Sequence, residues 1–599
     1  MSKTTDILLR ALLCGALVVS AAGAAERNAK PKAKVAKGPR IAHVRLSGTI
    51  AEAPPQMSIF PTASRQTLTQ WLRRLAKIRT DKSIQAVALE VASPSLTWAQ
   101  ASELADAVRR LNEIKPVYAH IVTGGLGSYL PASAGRELAM DPSGFLSIPG
   151  LGAELVYFSQ TLKHLRIKAQ MIQVGRFKGA AEPFSRTGPS EEIKQTYKSI
   201  LDDLYAHLCR SIATRRGLKI NAVKAAVDRG ILSAEEARKV KLVDAVVEKL
   251  DWRQRVEQRV AGKGRKTEWL ADYGREAGKS VDLSNPFALF GMLMGGGPRQ
   301  GIHEPTIAII HADGMITAGK SGESLFGQGI VGARSLVGAF EQARKDDRIK
   351  AVVFRIDSPG GSAVASEMIY QAVRKCAKAK PVIVSVSSMA ASGGYYIAAA
   401  GRTIVADPTA IVGSIGVLSG KLAVSGLMEW AGVTRHEITR GKMAGLGMSR
   451  PWTKAEMDTI RRMAEKVYDT FVSRVAEGRG KRIDGIHKVI QGRLFTARQA
   501  VSNGLVDSLG GFNDAVKVAK KAARLDACHY ITLPRPRTLM DLLSGDADAA
   551  APRLGGLHRH ALLGLAAESR PLAYLAALAR LFQQETTLTV VPYYVTIKP

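Results

Sequence analysis

The stretch Ser387-Ser388-Met389-Ala390-Ala391-Ser392-Gly393-Gly394-Tyr395-Tyr396 has the residue types and spacing that chemistry would need. It follows an apolar β-like run, Val382-Ile383-Val384-Ser385-Val386, and leads into a helix-like run, Tyr395 to Ala400. Ser392 therefore falls at a strand-to-helix junction, where the backbone N–H groups of the first turn have no intrahelical partner. Two glycines follow, so no Cβ crowds the hydroxyl on that side. Small residues before, glycines after and a helix start behind suit a nucleophile with an oxyanion site beside it. A Gly-Ser turn that caps a helix has the same appearance.

The partner such a serine would need emerges from the way the chain repeats itself. Ile41-Ala42 and Gly48 recur as Ile307-Ala308 and Gly314, a shift of 266 (307 − 41). Ala86-Val87-Ala88 and Ser93-Pro94 recur as Ala351-Val352-Val353 and Ser358-Pro359, shifted by 265. Gly135-Arg136 and Asp141-Pro142 recur as Gly401-Arg402 and Asp407-Pro408, and Leu242-Val243-Asp244 as Leu505-Val506-Asp507. Matches in order at a near-constant shift mean a duplication, with a period far longer than that of a solenoid.

The copies differ where chemistry would sit. Leu126 stands opposite Ser392, followed by the matched pairs Gly127/Gly393 and Tyr129/Tyr395. Ser93-Pro94-Ser95-Leu96 stands opposite Ser358-Pro359-Gly360-Gly361, so only the second copy has a glycine pair that could aim an N–H at an oxyanion; a plain Pro-Gly turn reads the same way. The reverse holds at Gly175-Arg176-Phe177-Lys178-Gly179, which meets Gly441-Lys442-Met443-Ala444-Gly445. Lysines are normally solvated, but apolar and small neighbours such as Phe177, Gly179 and Ala180 could desolvate the Lys178 ammonium and lower its pKa towards that of a general base. One copy offers a nucleophile without a base and the other a base without a nucleophile. A single site between the copies accounts for both.

Other chemistries find little support. His436 and His487 have no motif around them, and the surroundings of Ser392 are not Gly-x-Ser-x-Gly. There is no His-Glu-x-x-His and no credible dinucleotide fingerprint.

The elements that must position these residues alternate. In the second copy β-like runs lie near Thr306–His311, Ala351–Ile356, Val382–Ser388 and Val405–Ala406. Between them is an amphipathic stretch, 335–345, with Leu336, Ala339, Phe340 and Ala343 at helical spacing. This predicts an α/β fold of two tandem repeats with largely parallel sheets and crossover helices. The expected divisions are a signal peptide or membrane anchor at 1–25, a basic linker at 26–40, an N-terminal repeat at 41–261, a joiner at 262–303, a C-terminal repeat at 304–530 and an extension at 531–599. The joiner carries an apolar patch, Pro286 to Met294, too short to span a bilayer. In the extension, Leu572, Leu575, Ala579 and Phe582 form one helix face, and 588–597 reads as a strand, a tail suited to packing or assembly.

The length of 599 residues calls for more than one domain. The net charge of +33 fits nucleic acid, an anionic membrane face or a merely solvated basic surface; without a nucleic-acid module, the membrane face is preferred. Cys14, Cys209, Cys376 and Cys528 show neither a disulfide framework nor metal-ligand spacing. Lys3 and Arg10, the apolar run Ala11 to Ala25 and Ala22-Gly23-Ala24 read as an export signal, compatible with cleavage or with retention as an anchor.

With these residues assembled, the chain resembles the long, duplicated bacterial form of the signal peptide peptidase A family, of the Clp/crotonase-like superfamily. The motifs that carry the resemblance are Asp357-Ser358-Pro359-Gly360-Gly361, Ala390-Ala391-Ser392-Gly393-Gly394-Tyr395, Asp407-Pro408 with Val412-Gly413-Ser414-Ile415-Gly416, and Gly175 to Phe184, over roughly residues 41–530. The resemblance implies a Ser-Lys protease with Ser392 as nucleophile, Lys178 as general base and Ser414 orienting the lysine. Gly393 and Gly360 or Gly361 would form the oxyanion hole. It implies no cofactor and no metal, remnant signal peptides as substrates, and a homotetramer on the outer face of the bacterial inner membrane. The short N-terminal apolar segment and the long C-terminal tail depart from the pattern. A crotonase-like acyl-CoA enzyme and a non-catalytic membrane scaffold are the rival expectations.

Overall fold

The structure, a computed structural model, describes residues 38–54, 66–262, 266–275, 305–323, 329–482 and 485–535 and the strand Thr587–Val590. The expected export signal, the basic linker up to residue 37, the apolar patch of the joiner and the amphipathic tail helix lie outside these residues.

Each copy builds a parallel sheet from near-continuous apolar runs, which is the pattern of strands covered on both faces. In the first copy the order is Ala245–Val246, Glu137–Met140, Val117–Ile121, Ala86–Ser95, Arg40–Thr49 and Glu268–Leu270, all parallel. The second copy repeats it with Ser508–Leu509, Thr403–Ala406, Val382–Ala391, Ile349–Ser358, Thr306–Asp313 and His529–Leu533. At its C-terminal end, from Met389 to Ala391, Val382–Ala391 also pairs with Ile411–Gly413, which pairs antiparallel with Leu494–Thr496. Glu268–Leu270 falls in the stretch read as joiner and His529–Leu533 runs past 530, so each copy is closed by an edge strand just beyond its expected end. At three and five residues, those strands are too short to show a period.

The expected helix at 335–345 runs Ala333–Lys345 and buries Leu336, Ala339, Phe340 and Ala343. Its first-copy counterpart, Leu68–Thr80, starts with a capping box in which the Thr67 hydroxyl accepts from Gln70 N–H and the Gln70 side chain accepts from Thr67 N–H. The duplication extends to buried hydrogen bonds. Tyr129 Oη donates to Leu242 O at 2.9 Å, as Tyr395 Oη does to Leu505 O at 2.8 Å. Leu138 N–H and Ile404 N–H each donate at 2.7 Å, to Asp244 and Asp507.

Two features lock the copies together. One apolar core holds Leu208, Ile212 and Val91 of the first copy with Ile307, Val353, Ile383 and Phe512 of the second. A further mixed sheet runs Gly322–Glu323, Gly329–Gly332, Met315–Thr317, Gly360–Ser362, Thr587–Val590, Val417–Ala423 and Lys168–Val174. Its last pairing joins the copies antiparallel, from Val417 opposite Val174 to Ala423 opposite Lys168. That ladder sets the height at which the chain leaves Val174 and reaches Lys178.

Candidate active site

Ser392 is the residue between the strand Val382–Ala391 and the helix Gly393–Ala398. Its backbone sits at φ 54°, ψ −117°, a conformation that costs of order 1–3 kcal/mol and persists only where its surroundings enforce it. Ser392 N–H donates to Gly413 O at 2.7 Å, which ties the elbow to the neighbouring strand. Gly394 is required by close approach, because a Cβ there would lie 2.5 Å from Ser358 O.

Lys178 arrives from the other copy, four residues beyond the strand Lys168–Val174. The second copy grips its backbone. Phe177 N–H donates to Gln491 O at 2.7 Å, and Gly492 (φ 84°) lies so close that a Cβ would be 2.6 Å from Lys178 Cβ. The side chain is fully buried, as are Ser392 and, nearly so, Ser414.

Lys178 Nζ lies 2.6 Å from Ser392 Oγ, 2.9 Å from Ser414 Oγ and 3.0 Å from Ser414 O. Burial alone drives its pKa well below the usual lysine value, with no carboxylate to hold the ammonium. A neutral amine has two hydrogens and one lone pair. Two donations to Ser414 and one acceptance from the Ser392 hydroxyl satisfy it fully. Ser414 also has a left-handed backbone, at φ 54°, and its N–H donates to Arg493 O at 2.8 Å.

The structure thus brings Ser392, Lys178 and Ser414 into one buried cluster. Gly393 opens the helix directly after the serine. Gly360 departs from expectation. Its N–H donates to Ser358 Oγ at 3.2 Å, so that donor is already engaged, and Gly360–Ser362 is a strand rather than a plain turn. His436 and His487 are exposed, and the hydroxyl of Ser392 meets an amine instead. The supports at Gln491 and Gly492 were missed: they lie more than three hundred residues from Lys178 and carry no motif.

The tail, expected to serve packing or assembly, contributes the strand Thr587–Val590 beside the site. It runs antiparallel to Gly360–Ser362, with Thr589 opposite Gly361, and beside Leu418–Ser419 on its other edge.

Crotonase-like repeats with a serine on a strand-to-helix elbow, hydrogen-bonded to a buried lysine, define a serine peptidase. The sequence profile of peptidase family S49 matches residues 109–262 and 374–526, once in each copy, and that of Clp protease matches residues 333–410. The chain belongs to peptidase family S49 and is a duplicated protease of the signal peptide peptidase A type. It is 31% identical over 493 residues to the chloroplastic serine protease SPPA of Arabidopsis thaliana, covering 80% of this chain and 70% of that one. It is 29% identical over 439 residues to Protease 4 of Salmonella typhi, covering 72% and 67%. Protease 4 of Haemophilus influenzae is 30% identical over 416 residues, covering 68% and 65%. The acyl-CoA and scaffold readings give way to the peptidase.

Proposed function

We propose that the protein is a Ser-Lys endopeptidase that degrades apolar peptides, cleaved signal peptides above all. The observation that carries this reading is the 2.6 Å contact between Lys178 Nζ and Ser392 Oγ in a fully buried pocket. Neutral Lys178 takes the proton from Ser392 Oγ, which attacks the peptide carbonyl. Gly393 N–H, at the start of the helix, holds the oxyanion. The protonated lysine gives its proton to the leaving amine, and the C–N bond breaks. Water, deprotonated by the same lysine, then releases the acyl group and restores Ser392. Ser414 positions the amine through both of its oxygens. No step calls for a metal or cofactor.

The strand Thr587–Val590 supports an extended substrate: it lies between Gly360–Ser362 and Leu418–Ser419, a position that an extended peptide takes by β-addition when the tail vacates it.

We place the enzyme on the outer face of the inner membrane on the basis of the N-terminal segment and the net charge of +33. Among the described residues no helix is long and apolar enough to cross a membrane. Assembly into a homotetramer has support in the repeat. The ladder between 168–174 and 417–423 joins the copies within one chain. Its equivalents under the 266 shift, residues 434–440 and 151–157, form no strand, and Ile438 is 88% exposed. Pairing 434–440 of one chain with 151–157 of the next would be a head-to-tail contact, the kind that builds rings where the rotation between chains closes.

The test is covalent labelling of Ser392 by a fluorophosphonate probe, located by mass spectrometry. We expect labelling in the native chain, none in Ser392→Ala, and loss together with peptide cleavage in Lys178→Ala. Full cleavage by either variant would overturn the dyad.

A further inference from the structure

The first copy keeps its own cleft. We propose that this cleft is a second peptide site, which holds an extended apolar peptide without cleaving it. The class of ligand rests on the peptidase reading above.

The cavity measures about 740 Å³ and includes Pro94, Leu96, Gly125, Leu126, Phe145 and Ile231 in its wall. That is within the usual size of ligand pockets, roughly 300–1,000 Å³. None of its lining residues is acidic, basic, histidine or cysteine. Leu126 stands where the active copy has Ser392, so the cleft lacks the nucleophile of its counterpart.

The scaffold around it is nonetheless that of the active copy. The helix Leu126–Ser133 follows the strand Val117–Ile121 as Gly393–Ala398 follows Val382–Ala391. The Tyr129 hydroxyl fixes it as the Tyr395 hydroxyl fixes its counterpart. A repeat kept only for support would be expected to fill this space with side chains. Here the cavity stays open, and two large apolar side chains stand at its rim, Phe145 at 55% and Ile231 at 62% exposure. They sit on short strands paired antiparallel, Phe145–Ser147 and Ile231–Ser233.

The second copy indicates what fills such a cleft. There the residues after Ser358-Pro359 pair with an extended segment, Thr587–Val590. In the first copy the matching residues, Ser95 and Leu96, line the cavity. An extended peptide laid along them would cover Phe145 and Ile231. The cleft offers no charged side chain to pair with a charged residue, only the hydroxyls of Ser93, Ser95, Thr123, Ser128 and Ser147 beside its apolar wall, which favours an uncharged, largely apolar sequence. A long substrate held in this way stays on the enzyme while another part of it is cut.

The experiment uses the full-length Ser392→Ala chain and an apolar Leu/Ala-rich peptide with a central benzophenone. After irradiation, cross-links are mapped by mass spectrometry. We expect two sets, one around the Ser392 cleft and one around Leu96, Phe145 and Ile231. The double variant Phe145→Asp, Ile231→Asp should lose the second set and keep the first; both positions are exposed, so the fold tolerates them. In the active chain the same double variant should raise KM for a long apolar peptide by about threefold or more, with kcat and turnover of a short ester unchanged. Cross-links confined to the Ser392 cleft, or an unchanged KM, would overturn the proposal. So would occupation of the first-copy cleft by residues of a second chain, which would make it an assembly surface. Cross-links at the first-copy cleft in a chain that cleaves no peptide would sustain the second site and sink the peptidase reading alone.

Discussion

Lys178 and Ser392 are 214 residues apart in the chain and 2.6 Å apart in space, and each comes from a different copy of the same unit. The lysine stays buried without an acidic partner because Ser414 supplies two oxygens for its amine. The arrangement makes chemistry depend on the register between the copies, and the consequences can be measured.

The first concerns pH. Burial holds the folded pKa of Lys178 well below the ordinary lysine value of 10.5, so between those two values the unfolded chain binds the extra proton. Stability then rises with pH through that window, and burial of the lysine is a cost at neutral pH. Lys178→Met should therefore be inactive yet more stable than the native chain at neutral pH, with the gap closing as pH rises towards 10.5. Thermal melts of both proteins across that range check it. In the native enzyme kcat/KM should climb through the depressed pKa, because only the neutral amine can act as base.

The second concerns Gly492. A methyl group there would lie 2.6 Å from Lys178 Cβ, on a backbone at φ 84°. Gly492→Ala should displace the lysine by a fraction of an ångström and lower kcat by about 100-fold, as misplacements of that order do. Binding of a non-cleavable peptide, measured by fluorescence anisotropy, should be unchanged.

The tail strand occupies the place beside Gly360–Ser362 that the proposed substrate would take. Thr589→Pro removes a backbone N–H from that strand. It should raise kcat/KM for a short apolar peptide by about threefold to tenfold, the scale of a lost backbone hydrogen bond. An unchanged value would mean that the tail does not hold the edge.

The joint between the copies contains a buried charge cluster. Arg355 Nε lies 2.5 Å from Glu52, its Nη2 2.6 Å from Glu103 and its Nη1 2.9 Å from Ser385 Oγ. Arg355→Met would strand two buried carboxylates from the first copy and cost about 3–5 kcal/mol. Chemical denaturation should show that loss, whereas Arg348→Met, at an exposed pair, should change stability by less than about 1 kcal/mol.

The amino-acid sequence by itself determined the local and the repeated. The alternation of apolar runs, the 266-residue shift and the Ser392 elbow are written in consecutive residues, where periodicity and turn chemistry act over short distances. Even the choice of Lys178 was legible, because the copies serve as controls for one another and Ala444 and Leu126 mark what each has lost. Only the tertiary structure decided what depends on how distant segments meet. It engaged Gly360 N–H with Ser358, placed Gln491 and Gly492 behind the lysine, brought Glu52 and Glu103 onto Arg355 and laid residues 587–590 beside the site. None of these contacts has a period or a motif. They follow from the antiparallel ladder between 168–174 and 417–423 and from apolar burial across the joint, terms that exist only once the chain has closed on itself.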